Sequence, residues 1–562
     1  MSTSPSLQAP PRELVLASAG SGKTYYLSSR ILGLLAMGAP PGEVLATTFT
    51  RKAAGEILER VLVRLAEAAL DSAKAQDLGR DAHPSLMRPE ECRKLLSRLL
   101  TDLHQMNVGT LDAFFIRVAR NFFLELGLPP RWTIADESTH DRIRTDAVLA
   151  ALGEADMAQL VELLRMLNRG DADRQVHTAL FDKVDSLLAI RRQLDPRVAD
   201  PWTADFGATE QLSPDAVREK AQALANSLPT LEVPTTQSGD PVKAWVAALD
   251  NASVAISRLD WDATFAAGIG AKVLAGEDSF SRKPIPLEFG EIFRQAIELA
   301  RSDLAPKLRR ETRALGRLAE LLESAFERTQ RRVGAYRFDD VTYLLGGPDP
   351  AGNRDDLGYR LDQRVRHLLL DEFQDTSLEQ WRALQPLAHE LLSGHLDERA
   401  GVIVADPKQS IYGWRGARPE LVHQVGEAYG LAKATLDTSW RSSPVLLDFV
   451  ADVFRDLPTN AAIVEIDVGP SVASAWMEDF TELTAARDLP GHVCVHLAPP
   501  SPDDGRGAVR PNLLRWAAGV VQRLHEQIPD LSIGVLASRN RVVGYLMDEL
   551  RDAGIRASGE GE

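Results

Sequence analysis

Short apolar runs alternate with amphipathic stretches from the start of the chain to about Ile134. ELVLAS (Glu13–Ser18) and VLATTFT (Val44–Thr50) have strand character, and each is followed by apolar residues at helical spacing, from Lys23 and from Ala53. Strands that alternate with helices predict a parallel sheet covered by helices on its faces. From Ala135 to Arg331 the period changes to long helical segments such as Thr145–Arg169, separated by Pro- and Gly-containing breaks, which predicts a helical insertion. Strand signals return at RHLLLDEF (Arg366–Phe373) and AGVIVADP (Ala400–Pro407), and both end in carboxylates. The expected organisation is one α/β domain over residues 1–134 and 332–433, interrupted by helices over 135–331. A second α/β domain would begin at residue 434 and carry strands at HVCVHLA (His492–Ala498) and LSIGVLAS (Leu531–Ser538). No repeat of fixed period is evident.

The carboxyl edge of a parallel sheet is where ligands bind, so residues just after each strand are the candidates for chemistry. After the first strand stand Ala17-Ser18-Ala19-Gly20-Ser21-Gly22-Lys23-Thr24, a P-loop pattern with Ala at its first position. Its glycines let backbone N–H groups turn onto phosphate oxygens, the lysine reaches the β and γ phosphates, and the threonine hydroxyl can ligate Mg²⁺. The alternative is a glycine-rich turn with a chance lysine. Asp371-Glu372 ends a second strand, giving one acid for Mg²⁺ and one to polarise an attacking water. A third strand ends before Asp406-Pro407-Lys408-Gln409, where the Gln409 amide could sense a γ-phosphate or water. Tyr412, Trp414 and Arg415 follow within six residues, and aromatic faces beside an arginine suit unpaired bases. Tyr412 and Trp414 could equally be core aromatics.

Composition narrows the context. At 562 residues the chain should hold two to four structural units, and its 44% hydrophobic and 26% charged residues are those of a soluble globular protein. Cys92 and Cys494 are the only cysteines and make no ligand spacing, which argues against a disulfide scaffold or a zinc or iron–sulfur site. The first residues lack a signal-peptide pattern and no stretch is apolar enough to span a membrane, so a cytoplasmic location is expected. A net charge of −16 means that any nucleic acid must be met by local basic and aromatic surfaces. The arginine-rich stretch Arg301–Arg337 reads either as a solvated helix face or as a phosphate-tracking surface.

Six segments in order, ASAGSGKT, TFTRKAAGEI, VGTLDAFF, LLLDEFQDTS, VADPKQSIYGWRGA and LDTSWRSSP, resemble the superfamily-one DNA helicases of the UvrD and RecB/AddA type. The length of the helical insertion is more like the RecB/AddA branch. The resemblance implies two RecA-like domains that close on ATP and Mg²⁺ and move along single-stranded or partly duplex DNA, typically 3′ to 5′, in repair or recombination. It also implies, at matching positions, that Lys23 and Thr24 hold phosphate and Mg²⁺, Asp371 the metal, that Glu372 is the general base and that Gln409 senses the γ-phosphate. Trp440 would stack on adenine and Arg441 reach the γ-phosphate, while Phe49, Tyr412, Trp414 and Arg415 line the single-strand path.

Some positions depart from the family pattern. Asp112 stands where a histidine or other polar residue is frequent, and a carboxylate there repels phosphate. Tyr25 follows the P-loop where arginine is common, and Ser439-Trp440 stand for Asn-Tyr. The adenine-reading glutamine of the family is not evident, since Gln8 sits close to the P-loop. No segment like TxHxxKGLE follows the last strand signal, nor a later arginine motif or a nuclease signature. The expectation is therefore an N-terminal portion of a longer protein whose hydrolysis alone is slow. Alternatives are a non-catalytic fragment that binds ATP and DNA, and one component of a helicase–nuclease complex, completed by a nuclease partner.

Overall fold

The computed structural model describes residues 10–154, 176–193, 202, 212–236, 238–346, 365–393, 399–466, 468–497 and 511–559. Gln8, the part of the predicted middle helix from residue 155 to 169, and the last three residues lie outside the described set. The chain divides into two compact units, Met1–Thr438 and Ser439–Glu562.

The first unit is built on a six-stranded sheet. Its strands are β1 (Arg12–Ala17), β2 (Val44–Thr48), β3 (Asn107–Thr110), β4 (His367–Leu370), β5 (Ala400–Ala405) and β6 (Ala432–Leu436), in the order β6-β1-β5-β4-β2-β3. Every pairing is parallel. The expected α/β parallel sheet is therefore present. It has a sixth strand whose residues straddle position 434, the expected start of the second domain.

Central strands of such a sheet are buried on both faces, and these are nearly continuous apolar runs for that reason. Alternate residues enter different cores. Leu14, Leu368, Leu370 and Ile403 join Phe114, Phe115, Trp381 and Leu421 on one face. Val15, Leu369, Val402 and Val404 join Leu27, Ile31, Ile57 and Val61 on the other. The second core is supplied by α1 (Lys23–Ala36) and α2 (Arg51–Leu70). Thr50 caps α2, its hydroxyl accepting from the Ala53 N–H at 3.1 Å. Helix α3 (Leu111–Asn121) covers the opposite face through Phe114, Phe115 and Val118.

The helical insertion leaves and rejoins the sheet domain at one neck. Thr133–Ile134 on the outbound chain pairs in parallel with Ala335–Tyr336 on the return. The return is made by α4 (Leu287–Val333), 47 residues long with Pro306 inside it, ending at Gly334 in the left-handed region with φ 73°. The N-terminal part of α4 packs Phe289, Phe293 and Ala296 around Trp245. Its C-terminal part packs Leu322 and Phe326 against Ile143 and Val148. Helix α5 (Phe338–Gly346) follows at once, and its buried Asp340 accepts from Arg192 Nη2 of the insertion at 2.7 Å and from Gln330 Nε2 at 2.6 Å. A charge this buried is retained only because guanidinium, amide and the Arg337 backbone N–H all reach it.

In the second unit the helices Pro444–Arg455, Pro511–Gln527 and Asn540–Asp552 form as helical spacing predicts. Leu514, Ala518, Val521, Leu546 and Leu550 make its small core. The strands expected at HVCVHLA and LSIGVLAS do not form among the described residues: His492–Leu497 and Leu531–Ala537 are without ladder pairing, and Leu497 and Leu536 are exposed. A buried parallel strand exists only where neighbours take its backbone N–H and C=O groups. Neither segment has such a neighbour here.

Candidate functional site

The carboxyl ends of β1, β4, β5 and β2 lie side by side, so the segments that follow them converge. After β1 the chain turns through Ser18–Gly22, with Gly20 at φ 77° and Gly22 at φ 92°, a left-handed region open to glycine at little cost. The Ser21 N–H and hydroxyl both donate to the Ser18 carbonyl, at 3.2 and 2.7 Å, which folds the loop back on itself. Helix α1 starts at Lys23 with no side chain capping its first turn. Its N–H groups are thus left to a ligand, and the helix dipole favours an anion. Ala17 is buried at the strand end, Ala19 is exposed, and Thr24 is half-buried in the first helical turn.

Lys23 is held by the next strand end. Its Nζ donates to both oxygens of Glu372, at 2.7 and 2.9 Å. The carboxylate thus occupies the lysine as phosphate oxygens would. Glu372 is itself in the left-handed region, φ 51° and ψ 42°. For a non-glycine residue this costs on the order of 1–3 kcal/mol and persists only where surroundings enforce it. They do so here: the Asp371 N–H donates to Thr47 O of β2 at 2.8 Å, and the Asp375 N–H closes on Glu372 O at 3.0 Å.

Asp371 is almost wholly buried. One oxygen accepts from the Thr48 hydroxyl at 3.4 Å and the other, Oδ1, is buried with no hydrogen-bond partner. Burial first, and then the Glu372 charge, push its pKa up to about 7 against the opposing pull of Lys23. Asp375 is pushed up to about 6 by burial and by Glu372, and its Oδ1 is likewise without a partner. Among the described residues no group of three or more His, Cys, Asp or Glu could hold a metal ion unaided. An orphaned buried carboxylate oxygen beside an uncapped helix start nevertheless fits a divalent cation carried by a phosphate, which brings its own oxygens.

The third strand end is wired to the second. Asp406, buried after β5, accepts from the side-chain amide of Gln409 and pairs with Lys408 Nζ at 2.9 Å. Its backbone N–H donates to Gln374 Oε1 at 2.9 Å, and Gln374 Nε2 donates to Glu372 Oε2 at 2.6 Å. Gln409 is therefore two residues of network away from Glu372. Gln374 escapes a reading of the sequence; only its place inside the DEFQDTS segment points to it.

Phe49, Tyr412, Trp414 and Arg415 form one cluster. The Phe49 and Tyr412 rings lie 4.6 Å apart, Tyr412 and Trp414 6.3 Å apart. The Arg415 guanidinium lies over Phe49 at 5.5 Å and over Trp414 at 5.8 Å. Trp414 is 81% exposed, so of the two readings open for it the core aromatic fails; Tyr412 is half-buried. The cluster borders a cavity of about 820 Å³ between the sheet domain and the neck of the insertion, lined also by Arg192, Arg337 and Arg418. Asp112 faces this side, and burial raises its pKa while Gln380 Nε2 donates to it at 3.1 Å. Trp440 and Arg441 belong to the second unit, where both are exposed.

The UvrD/REP helicase N-terminal domain family matches residues 7–430. Among curated proteins the chain is similar to the ATP-dependent helicase/nuclease subunit of Streptococcus agalactiae serotype III (strain NEM316), 24% identical over 482 residues, which are 79% of this chain and 38% of that protein. The corresponding protein of Levilactobacillus brevis is 24% identical over 502 residues, 81% of this chain and 38% of that protein. That of Lactobacillus gasseri is 21% identical over 497 residues, covering 80% and 39%. The chain thus spans under two-fifths of the length of these relatives.

Proposed function

The chain belongs to the UvrD/REP helicase family, and from that premise we propose that it is the ATP-binding, leading part of a motor that moves on single-stranded DNA during repair or recombination. The observation that carries this reading is the convergence at one sheet edge of a phosphate cradle, an acid pair and an exposed aromatic–arginine cluster. Lys23 and the α1 N-terminus would take the β and γ phosphates, with Thr24 and Asp371 on Mg²⁺. Bound ATP and Mg²⁺ supply the phosphoanhydride bond and the charge neutralisation that its cleavage needs. Glu372, released from Lys23, would orient water, and Gln409 would report the γ-phosphate to the loop that carries Tyr412, Trp414 and Arg415. Trp440 and Arg441 would complete the site on adenine and γ-phosphate, and movement would run 3′ to 5′.

A helicase–nuclease assembly is the setting we favour, because the relatives named above are helicase/nuclease subunits. The test is phosphate release by the purified chain with and without a poly-dT oligonucleotide, beside Lys23→Ala. DNA-stimulated turnover above that control supports a working motor; nucleotide binding without turnover supports the ATP- and DNA-binding module that needs a partner. Binding of neither ligand refutes both.

A further inference from the structure

Gln374 is buried to 1% exposure and has both ends of its amide engaged. The Asp406 backbone N–H can only donate, so the amide oxygen must face it, at 2.9 Å. The amide nitrogen is thereby fixed on Glu372 Oε2, at 2.6 Å. The same residue's carbonyl accepts from the Ser410 hydroxyl at 3.2 Å. Beyond it the aromatic loop is fastened to the same segment a second time: Ser377 bridges Ala417, and the Arg418 N–H donates to Thr376 O at 3.1 Å. The segment 374–377 thus holds Glu372 at one end and the loop carrying Tyr412, Trp414 and Arg415 at the other.

The Lys23–Glu372 pair and a phosphate compete for one ammonium, because a three-donor group bound by two carboxylate oxygens has little left for a second anion. A nucleotide must therefore displace Glu372. When it moves, its other bond, to Gln374, is pulled or broken, and Gln374 cannot shift without disturbing the Asp406 N–H and Ser410. A buried amide that loses one of its partners costs on the order of 1–3 kcal/mol, so the two ends cannot rearrange independently.

We propose that Gln374 is a positioning residue that makes nucleotide binding and single-stranded DNA binding interdependent, by tying Glu372 to the Ser410–Arg415 loop. The inference rests on the proposed function, since it requires both ligands to bind where that reading puts them. Coupling is reciprocal, and typical coupling changes affinity by about 5–150-fold.

The test measures the affinity of the full chain for a fluorescent, non-hydrolysable ATP analogue with Mg²⁺, with and without saturating dT oligonucleotide. The ratio of the two affinities is the readout, and it needs no turnover. Wild type should show a ratio of at least about fivefold. Gln374→Glu keeps the acceptor for Asp406 and replaces the donor to Glu372 by a repelling oxygen. Ser410→Ala, at a half-buried position, removes only the loop's bond to the Gln374 carbonyl. Both should bring the ratio close to one while each ligand alone binds within about threefold of wild type, a pattern that general destabilisation, which weakens both ligands together, does not produce. If Gln374→Glu does not fold, Ser410→Ala alone decides. Wild type that binds both ligands with a ratio of one, or variants that keep the wild-type ratio, overturn the proposal. A wild type that binds neither ligand overturns the parent reading instead, which separates the two failures.

Discussion

Replacing Asp371 by Asn should change how the protein's stability responds to pH. The folded-state pKa of Asp371, about 7, lies above the ordinary 3.8 of the group. Between about pH 4 and pH 7 the folded chain therefore holds a proton that the unfolded chain has released, and stability falls as pH rises through that window. A shift of roughly 3 units corresponds to about 4 kcal/mol at full ionisation. Context can reduce such a figure two- to threefold, leaving on the order of 1.5–4 kcal/mol. Asn has the same shape and no charge, so it removes this term, whatever constant cost its amide incurs next to the unpartnered site of Oδ1. The measurement is thermal unfolding of wild type and Asp371→Asn without nucleotide at pH 5.5 and pH 8.5. Subtracting the two proteins cancels Asp375, His367 and every other group that titrates alike in both. The variant should gain on the wild type by on the order of 2–5 °C between the two pH values. A gap that does not change with pH would refute the view that Asp371 is held against its charge by burial.

Other outcomes follow from the same geometry. Lys23→Ala should abolish stabilisation of the chain by ATP analogues in thermal shift, because the side chain that would meet the phosphates is gone, with little change in the unliganded melting temperature. Trp414→Ala should weaken binding of a dT oligonucleotide by about 1–3 kcal/mol, roughly 5–150-fold by fluorescence anisotropy, and leave folding unaffected because the ring is 81% exposed. Phe373→Ala, by contrast, empties a position that is 1% exposed and packed edge-on to Trp381, and should cost about 3–5 kcal/mol in denaturant unfolding. Gly22→Ala should impair nucleotide binding, since an alanine at φ 92° strains the turn that leads into α1.

The sheet is legible in the sequence because its strands are short, apolar and flanked by helical spacing, and because a parallel arrangement is the solution for strands buried on both faces. The phosphate cradle is legible for a local reason: its glycines, lysine and threonine act within eight consecutive residues. The strand Ala432–Leu436 is not, since AKATL is half polar and mostly exposed, as an edge strand is; its partner β1 lies more than 400 residues earlier. HVCVHLA and LSIGVLAS mislead for the complementary reason. Strand propensity reports fitness for a pleated surface, and it yields a strand only where neighbouring strands exist to pair.

What no local pattern can show is the state of the site at rest. Lys23 and Glu372 are 349 positions apart, and the motifs give each a task on a substrate, not on the other. Their pairing follows from the sheet order, which puts β5 between β1 and β4 and so brings the loops after β1 and β4 to either side of one opening. A lysine in that opening meets whichever anion is nearest. With the Glu372 backbone already turned into the left-handed region and its carboxylate gripped by Gln374, that anion is Glu372. A phosphate therefore has to win the lysine from a preplaced carboxylate, and winning it frees the group that would orient water. On this geometry the lysine's change of partner and the arming of Glu372 are one event, which keeps the acid away from its water until a nucleotide is in place.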